Sequence, residues 1–368
     1  MTKAKSAYST RDSVEEAVND IAGQLQGFET KALIFFASPH FDESVSRQMQ
    51  DAFEDATVFG CTTAGEITSG QMLRRSVVAL ALGKEVVSDL QVAVVENLRD
   101  RVDVRPAFRQ FEEHFKAPLS HMDLRKYAGI VLIDGLSGAE ERVMDQIGDL
   151  TDITFVGGSA GDDLRFEATR VYAGGKAYTD AALLALMHLD AGFDIIKTQS
   201  FKVLDKRLVV TKANEAAREV AEIDGKPAAL AYAEAVGRPV AEVPDYFMHN
   251  PVGIMLHDEP YVRSPQRLEN NSIIFYCNIP EGMEVSLLES THIIKDTQEV
   301  LQARCDEAGP ITGIINFHCV LRTMELEKTG QAEAYGKLFA GVPTAGFSTY
   351  GEEYIGHLNQ TSTMLVLL

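Results

Sequence analysis

Apolar runs and polar gaps alternate along this chain in a way that predicts helices and strands by turns. Val14, Ala17, Ile21 and Leu25 recur at helical spacing behind the capping run Arg11-Asp12-Ser13, which predicts a helix over 11–28. The unbroken run 32–37 predicts a buried strand, and Val45, Met49 and Phe53 on one face predict a helix over 42–53. Val58-Phe59 predicts a short strand, followed by strands at 76–82 and 90–95. A second series follows: strand 129–133, helix 139–147, short strand 154–156, a hairpin over 169–178 turning at Gly174-Gly175, and the run 181–189. Beyond residue 190 the pattern changes. Runs 201–204 and 208–211 predict a hairpin with Asp205-Lys206-Arg207 at its turn, Asn214 opens a helix to 221, and a further helix covers 228–236. Short runs at 251–256, 261–264, 272–277 and 283–287 predict an antiparallel meander, followed by a helix over 290–308 and strands at 313–317 and 361–368. Nothing looks disordered beyond the first dozen residues.

One local pattern occurs three times between such strands. The copies are Gly60-Cys-Thr-Thr-Ala-Gly-Glu66, Gly157-Gly-Ser-Ala-Gly-Asp162 and Gly346-Phe-Ser-Thr-Tyr-Gly-Glu352. Self-similarity of this kind predicts one supersecondary unit used repeatedly, here β-α-β-β. The fold class expected is α/β (α+β), a two-part mixed-sheet sandwich built from those units. A doubly wound dinucleotide fold is disfavoured, because strict βαβ alternation is missing. The expected division is an N-terminal helix within 1–29, a first domain over 30–195 and a second over 196–368.

Composition narrows the function classes. With 368 residues, 45% of them hydrophobic, the chain can bury two domain cores. A net charge of -20 repels nucleic acid and anionic membranes. The apolar runs are too short to span a bilayer, and the N-terminus has no apolar signal region. Cys61, Cys277, Cys305 and Cys319 form no C-x-x-C pair, which fits a reducing compartment; a cytoplasmic protein is expected.

The glycine loops are the first candidate chemistry. Glycine lets a backbone approach a ligand closely, and Ser or Thr hydroxyls with free amides can cradle a polar group. The same residues also make tight, self-satisfied turns. No G-x-G-x-x-G or G-K-[ST] phosphate fingerprint is present. Asn316-Phe-His-Cys-Val-Leu-Arg322 ends an apolar strand, where α/β folds place ligands. There His318 and Cys319 could ligate a metal or haem iron and Arg322 could pair with a carboxylate, or the segment is a core histidine and a small buried cysteine. His40, His249, His257 and His357 have no metal-ligand spacing. Gly157 to Gly161 reads G-x-S-x-G but lacks the following apolar helix, so Ser159, Cys61 and Cys319 complete no catalytic set and no catalytic residue is assigned. The acid pairs Asp162-Asp163 and Glu352-Glu353 read as a cation or amine site, or as solvated turns.

Several of these motifs, in this order, resemble one family. The first two glycine loops resemble the N-terminal FIST domain. His249-Asn-Pro-Val-Gly253, Tyr261-Val-Arg-Ser-Pro265, Asn316 to Arg322 and the third loop resemble its C-terminal partner. The resemblance implies a bacterial intracellular sensory protein that binds a small ligand and signals through a separate partner, such as a histidine kinase or a cyclic-dinucleotide enzyme. The 316–319 segment and the tail around His357 are similar to the haem-binding, nitric-oxide-sensing branch. His318 is then the haem-iron candidate, with His249 and His357 as rivals. An amino-acid or other polar-metabolite sensor is the alternative, and an enzyme with a Cys or Ser nucleophile ranks last. The candidate ligand residues are Cys61, Thr62, Thr63, Gly158, Ser159, Gly161, Asp162, Arg263, Asn316, Arg322, Ser348 and Thr349. The three loops are expected to face a common cleft.

Overall fold

The computed structural model describes residues 3–257 and 259–368. Its contacts fall into two compact units. One holds the chain up to Thr198 together with Gln298–His357 and Ser362–Leu368; the other holds Gln199–Thr297 and Leu358–Thr361.

The first unit repeats one long motif three times. Repeat 1 runs β1 (Ala4–Ser9), α1 (Val14–Gln24), β2 (Ala32–Ala37), α2 (Ser44–Ala52), β3 (Thr57–Thr62), the hairpin β4 (Glu66–Thr68) and β5 (Gln71–Leu73), and β6 (Val77–Leu82). Repeat 2 runs β7 (Val87–Glu96), α3 (Arg105–Phe115), β8 (Tyr127–Ile133), α4 (Glu140–Leu150), β9 (Phe155–Ser159), the hairpin β10 (Val171–Ala173) and β11 (Lys176–Tyr178), and β12 (Ala181–Leu189). Repeat 3 opens with β13 (Phe193–Gln199) and is then interrupted by the second unit.

That inserted unit is an antiparallel sheet of β14 (Phe201–Asn214), β15 (Glu219–Ile223), β16 (Lys226–Pro227), β17 (Val252–Leu256), β18 (Glu259–Arg263), β19 (Pro265–Glu269), β20 (Ser272–Phe275) and β21 (Glu284–Ser290), with α5 (Ala228–Val236) packed on it. Two expectations fail here. The hairpin expected at 201–211 is one strand, β14, whose register shifts between Val203 and Arg207, so the charged trio is a bulge rather than a turn. The helix expected from Asn214 is a single tight turn over Glu215–Ala217, broken by Arg218 at φ 52.

Repeat 3 resumes with α6 (Ile293–Ala308), β22 (Gly313–Cys319), α7 (Val320–Lys328), α8 (Ala332–Lys337), β23 (Thr344–Thr349), the short pair β24 (Glu352–Tyr354) and β25 (His357–Leu358), and β26 (Thr361–Leu367). The repeated unit is therefore longer than the β-α-β-β expected, gaining a leading strand and helix. Ala4–Ser9, within the first dozen residues where disorder is expected, is the first of those leading strands: it pairs antiparallel with β6 from Ala4↔Leu82 to Ser9↔Val77 and buries Ala4 and Ala7.

The repeats exchange hairpins. The sheet orders are β1-β6-β2-β3-β10-β11, β7-β12-β8-β9-β24-β25 and β13-β26-β22-β23-β4-β5. In each sheet the two middle strands are parallel. The last two strands come from another repeat: repeat 2 lends its hairpin to repeat 1, repeat 3 to repeat 2, and repeat 1 to repeat 3. One face of all three sheets meets in a shared apolar core that includes Phe36, Leu132, Val156, Phe317 and Phe347. The opposite face carries α1 and α2 in the first sheet and α3 and α4 in the second, and α7 packs against β22 and β23 in the third. The mixed-sheet α/β class expected from the sequence is the class observed.

Candidate functional site

The three glycine loops come together, but they grip one another. Ala64 N–H donates to Ser348 O at 3.0 Å and Ser348 N–H returns to Gly65 O at 2.7 Å. Gly161 N–H donates to Thr62 O at 3.0 Å, Ser159 N–H to Gly351 O at 2.8 Å, and Tyr350 N–H to Ser159 O at 3.2 Å. The hydroxyls are used in the same way: Thr62 Oγ1 accepts from Arg170 N–H at 2.9 Å, and Thr349 Oγ1 donates to Ser159 O at 2.8 Å. Cys61, Thr62, Thr63, Ser159, Ser348 and Thr349 are all fully buried. At Gly158 and Gly161 a Cβ would stand 2.7 Å from Thr349 Oγ1 and 2.8 Å from Ala64 N, so these glycines admit a neighbouring loop. The junction is a clasp built from groups that an anion cradle would need free.

Acids inside the clasp are buried, which corrects the solvated-turn expectation for Glu352-Glu353 and for Asp162. Burial pushes Asp162 up, but the Tyr350 hydroxyl and the amides of Ala168, Glu167 and Phe166 outweigh it and hold its carboxyl below the ordinary value. Glu66 accepts from Ser76 Oγ at 2.6 Å and from Thr63, yet burial raises it to about 7. Glu353 is likewise raised to about 7 by burial, against the pull of His357 Nδ1 at 2.8 Å. Between its ordinary value of 4.5 and about 7, Glu66 holds a proton in the folded chain and is ionised in the unfolded one. Its contribution to stability is therefore full at low pH and is lost as pH rises through about 7. Glu66→Gln should flatten the fall in unfolding free energy between pH 4.5 and 8 by about 3 kcal/mol, a value set by the size of the shift and read from urea titrations at each pH. An unchanged slope would mean that Glu66 is not the titrating group.

Ser159 Oγ lies 3.4 Å from Glu353 Oε1, and His357 sits on the same carboxylate, so carboxylate rather than imidazole faces the hydroxyl. The Cys61 thiol is pushed well up by burial and stays protonated.

A different picture emerges where the helices of each repeat meet its sheet. In repeat 1 that interface is apolar: Leu33, Phe35, Ala37, Val58 and Val77 pack on Ala17, Ile21, Val45 and Met49. In repeat 2, Val131, Ile133, Ala182 and Leu184 pack against Phe108, Phe111, Val143 and Ile147, with a buried polar contact at the start of α4 from Ser159 Oγ to Glu140 Oε1 at 3.3 Å. Register identifies the matching positions in repeat 3. Phe35↔Gly60 and Val131↔Gly157 correspond to Asn316↔Gly346; Ala37↔Thr62 and Ile133↔Ser159 correspond to His318↔Ser348. Repeat 3 has thus placed Asn316 and His318 where the others carry Phe or Val and Ala or Ile.

These polar residues are fully buried. Ser362 Oγ donates to Asn316 Oδ1 at 2.8 Å, Asn316 Nδ2 donates to Tyr335 OH at 3.3 Å, and Tyr335 OH and Ser362 Oγ lie 3.1 Å apart. Thr323 and Ser348 share a hydroxyl contact of 2.7 Å. His318 stays outside this network: among the described residues neither ring nitrogen has a hydrogen-bond partner, and its ring lies 4.4 Å from that of Tyr335. Burial first, and the Arg322 guanidinium second, hold its pKa well below the ordinary value, so the imidazole is neutral. A buried polar group left unpaired is costly and marks a place where a partner is expected. Arg322, read as a strand-end residue, is on the first turns of α7 and is also buried.

Two candidates lie in the inserted unit. Arg263 donates to the carbonyls of Asn278 and Val262, each at 3.2 Å, and His249 is exposed with Nδ1 3.2 Å from Ser290 Oγ.

A model of the FIST N domain matches residues 31–226, and one of the FIST C domain matches residues 228–354. The chain belongs to the FIST family. FIST domains are generally sensory domains that bind small ligands. An uncharacterized protein of Methanocaldococcus jannaschii is 23% identical over 292 residues, covering 73% of this chain and 56% of that protein. The chain thus spans little more than half the length of that relative. The FIST N stretch runs from β2 of repeat 1 through repeat 2 into the inserted unit, and the FIST C stretch runs from that unit into repeat 3. No described helix is long and apolar enough to cross a membrane.

The haem expectation can be tested against this FIST chain. A neutral imidazole with free nitrogens, as at His318, suits an iron ligand. Its surroundings do not suit a porphyrin: Tyr335 lies against the ring, and Asn316, Ser348, Ser362 and Thr323 line the same layer with polar groups. His357 is wedged against Gly351, where a Cβ would stand 2.0 Å from its ring. Sequence reading missed Tyr335, Thr323 and Ser362, which come from a short helix, a helix turn and a strand start. Only the polar interruption of the apolar run at Asn316 and His318 pointed to them.

Proposed function

We propose that this FIST protein is a sensor whose small polar ligand is recognised at the helix–sheet interface of repeat 3, by His318 with Asn316, Tyr335 and Ser362, and that it signals through a separate partner such as a histidine kinase or a cyclic-dinucleotide enzyme. What supports the reading is the comparison of two matching register positions: repeats 1 and 2 carry apolar residues at both, and repeat 3 carries Asn316, in a buried network, and a neutral histidine without a partner among the described residues. A ligand that hydrogen-bonds both ring nitrogens satisfies that group, and reaching it requires α8 to move off the sheet. Such a displacement supplies the conformational change a partner can detect.

The test is a thermal-shift screen of polar metabolites, with mass spectrometry of whatever co-purifies. At about a hundred times its dissociation constant a true ligand adds roughly 2.7 kcal/mol. The shift should vanish in Asn316→Val and Ser362→Ala; a shift that survives both places the ligand elsewhere. Haem at His318 is the second reading, favoured by the free ring nitrogens alone. A Soret band after haem addition that disappears in His318→Ala would move it to first place.

A further inference from the structure

A groove of about 720 Å³ opens in the first unit between the C-terminal half of α4, the start of β9 and the turn joining β24 to β25. Ile147, Ile153 and Phe155 close its floor. Asp145, Asp149 and Asp152 stand exposed around it, and none of its lining residues is a lysine or arginine. The acidity is not simply that of the whole chain. The cavity of repeat 1 lined by the matching elements, the end of α2, the start of β3 and the β10–β11 turn, is of about 490 Å³ and has Lys176 beside Glu96.

The lip of the groove is unusual. Ile355 occupies the turn at φ 57 and is 64% exposed. A β-branched residue in the left-handed region is a conformational outlier, and most of its surface stays in solvent. Glycine or asparagine would suit the turn better. Outliers of this sort cluster at binding surfaces, where the side chain serves a contact the free protein does not make. The same hairpin carries Glu353 and His357, both buried, at its base, so the lip is held by a rigid support.

We propose that this groove is the docking surface for a cationic, partly apolar segment of a partner protein, with Ile355 as the apolar anchor and the three aspartates as the charged rim. The argument is charge complementarity combined with a strained, exposed anchor, and it does not depend on which ligand the protein senses. Apolar anchors set the strength of such contacts and rim charges their steering and salt dependence.

Fluorescence anisotropy with the full chain tests this. The probes are a labelled amphipathic Leu/Lys peptide, a matched Ser/Lys peptide and a matched Leu/Glu peptide. The Leu/Lys peptide should bind about tenfold more tightly than Ser/Lys, and Leu/Glu should not bind. Neutralising Asp145, Asp149 and Asp152 together to Asn should weaken Leu/Lys binding about tenfold, while the equally neutralised set Asp12→Asn, Asp51→Asn and Glu113→Gln should leave it within about twofold. Ile355→Gly should weaken it about fivefold with no loss of thermal stability. Equal binding of Ser/Lys, an equal effect of both neutralised sets, or an Ile355→Gly variant that binds as well as the parent would each overturn the proposal.

Discussion

His318→Ile should stabilise the ligand-free protein and abolish its response to ligand. Isoleucine occupies the matching register position in repeat 2, Ile133, where it is fully buried against an apolar helix face. In repeat 3 the wild-type imidazole is buried with neither nitrogen paired, a condition that costs about 1–3 kcal/mol. Removing the polar ring while filling its space should recover about 1 kcal/mol or more, seen as a higher urea midpoint at an unchanged slope. Meanwhile the variant should show no thermal shift with any ligand that shifts the parent. A binding residue that lowers the stability of its own fold is the expected trade-off at a functional position. A variant that loses about 2 kcal/mol instead would make His318 a structural residue and remove the basis for placing the ligand there.

The opposite outcome is expected at the glycine that begins each repeated loop. A Cβ on Gly60 would stand 1.7 Å from Phe35 O, on Gly157 1.7 Å from Val131 O, and on Gly346 2.3 Å from Asn316 O. Each obstacle is a backbone oxygen of the adjacent parallel strand, at the same register position in all three sheets. Backbone inside a six-stranded sheet cannot yield as a side-chain tip can. Gly60→Ala or Gly157→Ala should therefore cost about 3 kcal/mol or more and leave little soluble protein. Gly138→Ala serves as a control for helix-end glycines: nothing lies near its Cβ, and only its φ of 62 opposes substitution. Equal solubility of Gly157→Ala and the parent would show that the sheet can part at this point.

These glycines also show which features of the fold are legible in the sequence. Their threefold recurrence was visible, as were the strand before and the strand after each copy, because continuous apolar runs such as 32–37 belong to strands buried on both faces. The recurrence looked like a ligand motif because glycine near Ser and Thr serves both purposes. Only coordinates distinguish an amide that faces a ligand from one that faces Ser348 O. Elements with weak apolar contrast were lost: Ala4–Ser9 buries small alanines, and β14 passes through Asp205-Lys206-Arg207 without turning, because a bulge absorbs the charges. At the candidate site, Asn316 and His318 stood out as polar residues in an apolar strand. Tyr335 and Ser362 did not, since they reach the network from elements distant in sequence.

The exchange of hairpins has a consequence for how the chain reaches its native state. Linear repeat arrays can nucleate anywhere and grow by adding neighbours, and their end repeats need polar caps. Here repeat 1 depends on a hairpin from repeat 2, repeat 2 on one from repeat 3, and repeat 3 on one from repeat 1. The dependence closes on itself, so the array has no end to cap and no stable partial length. β4 and β23, more than two hundred residues apart along the chain, must find each other before the circle is complete. Closure of such long loops slows folding and makes it all-or-none. The first two repeats therefore leave the ribosome with two strand edges still unpaired, those of β9 and β4, and they remain dependent on protection from aggregation until β23 and β24 have been made.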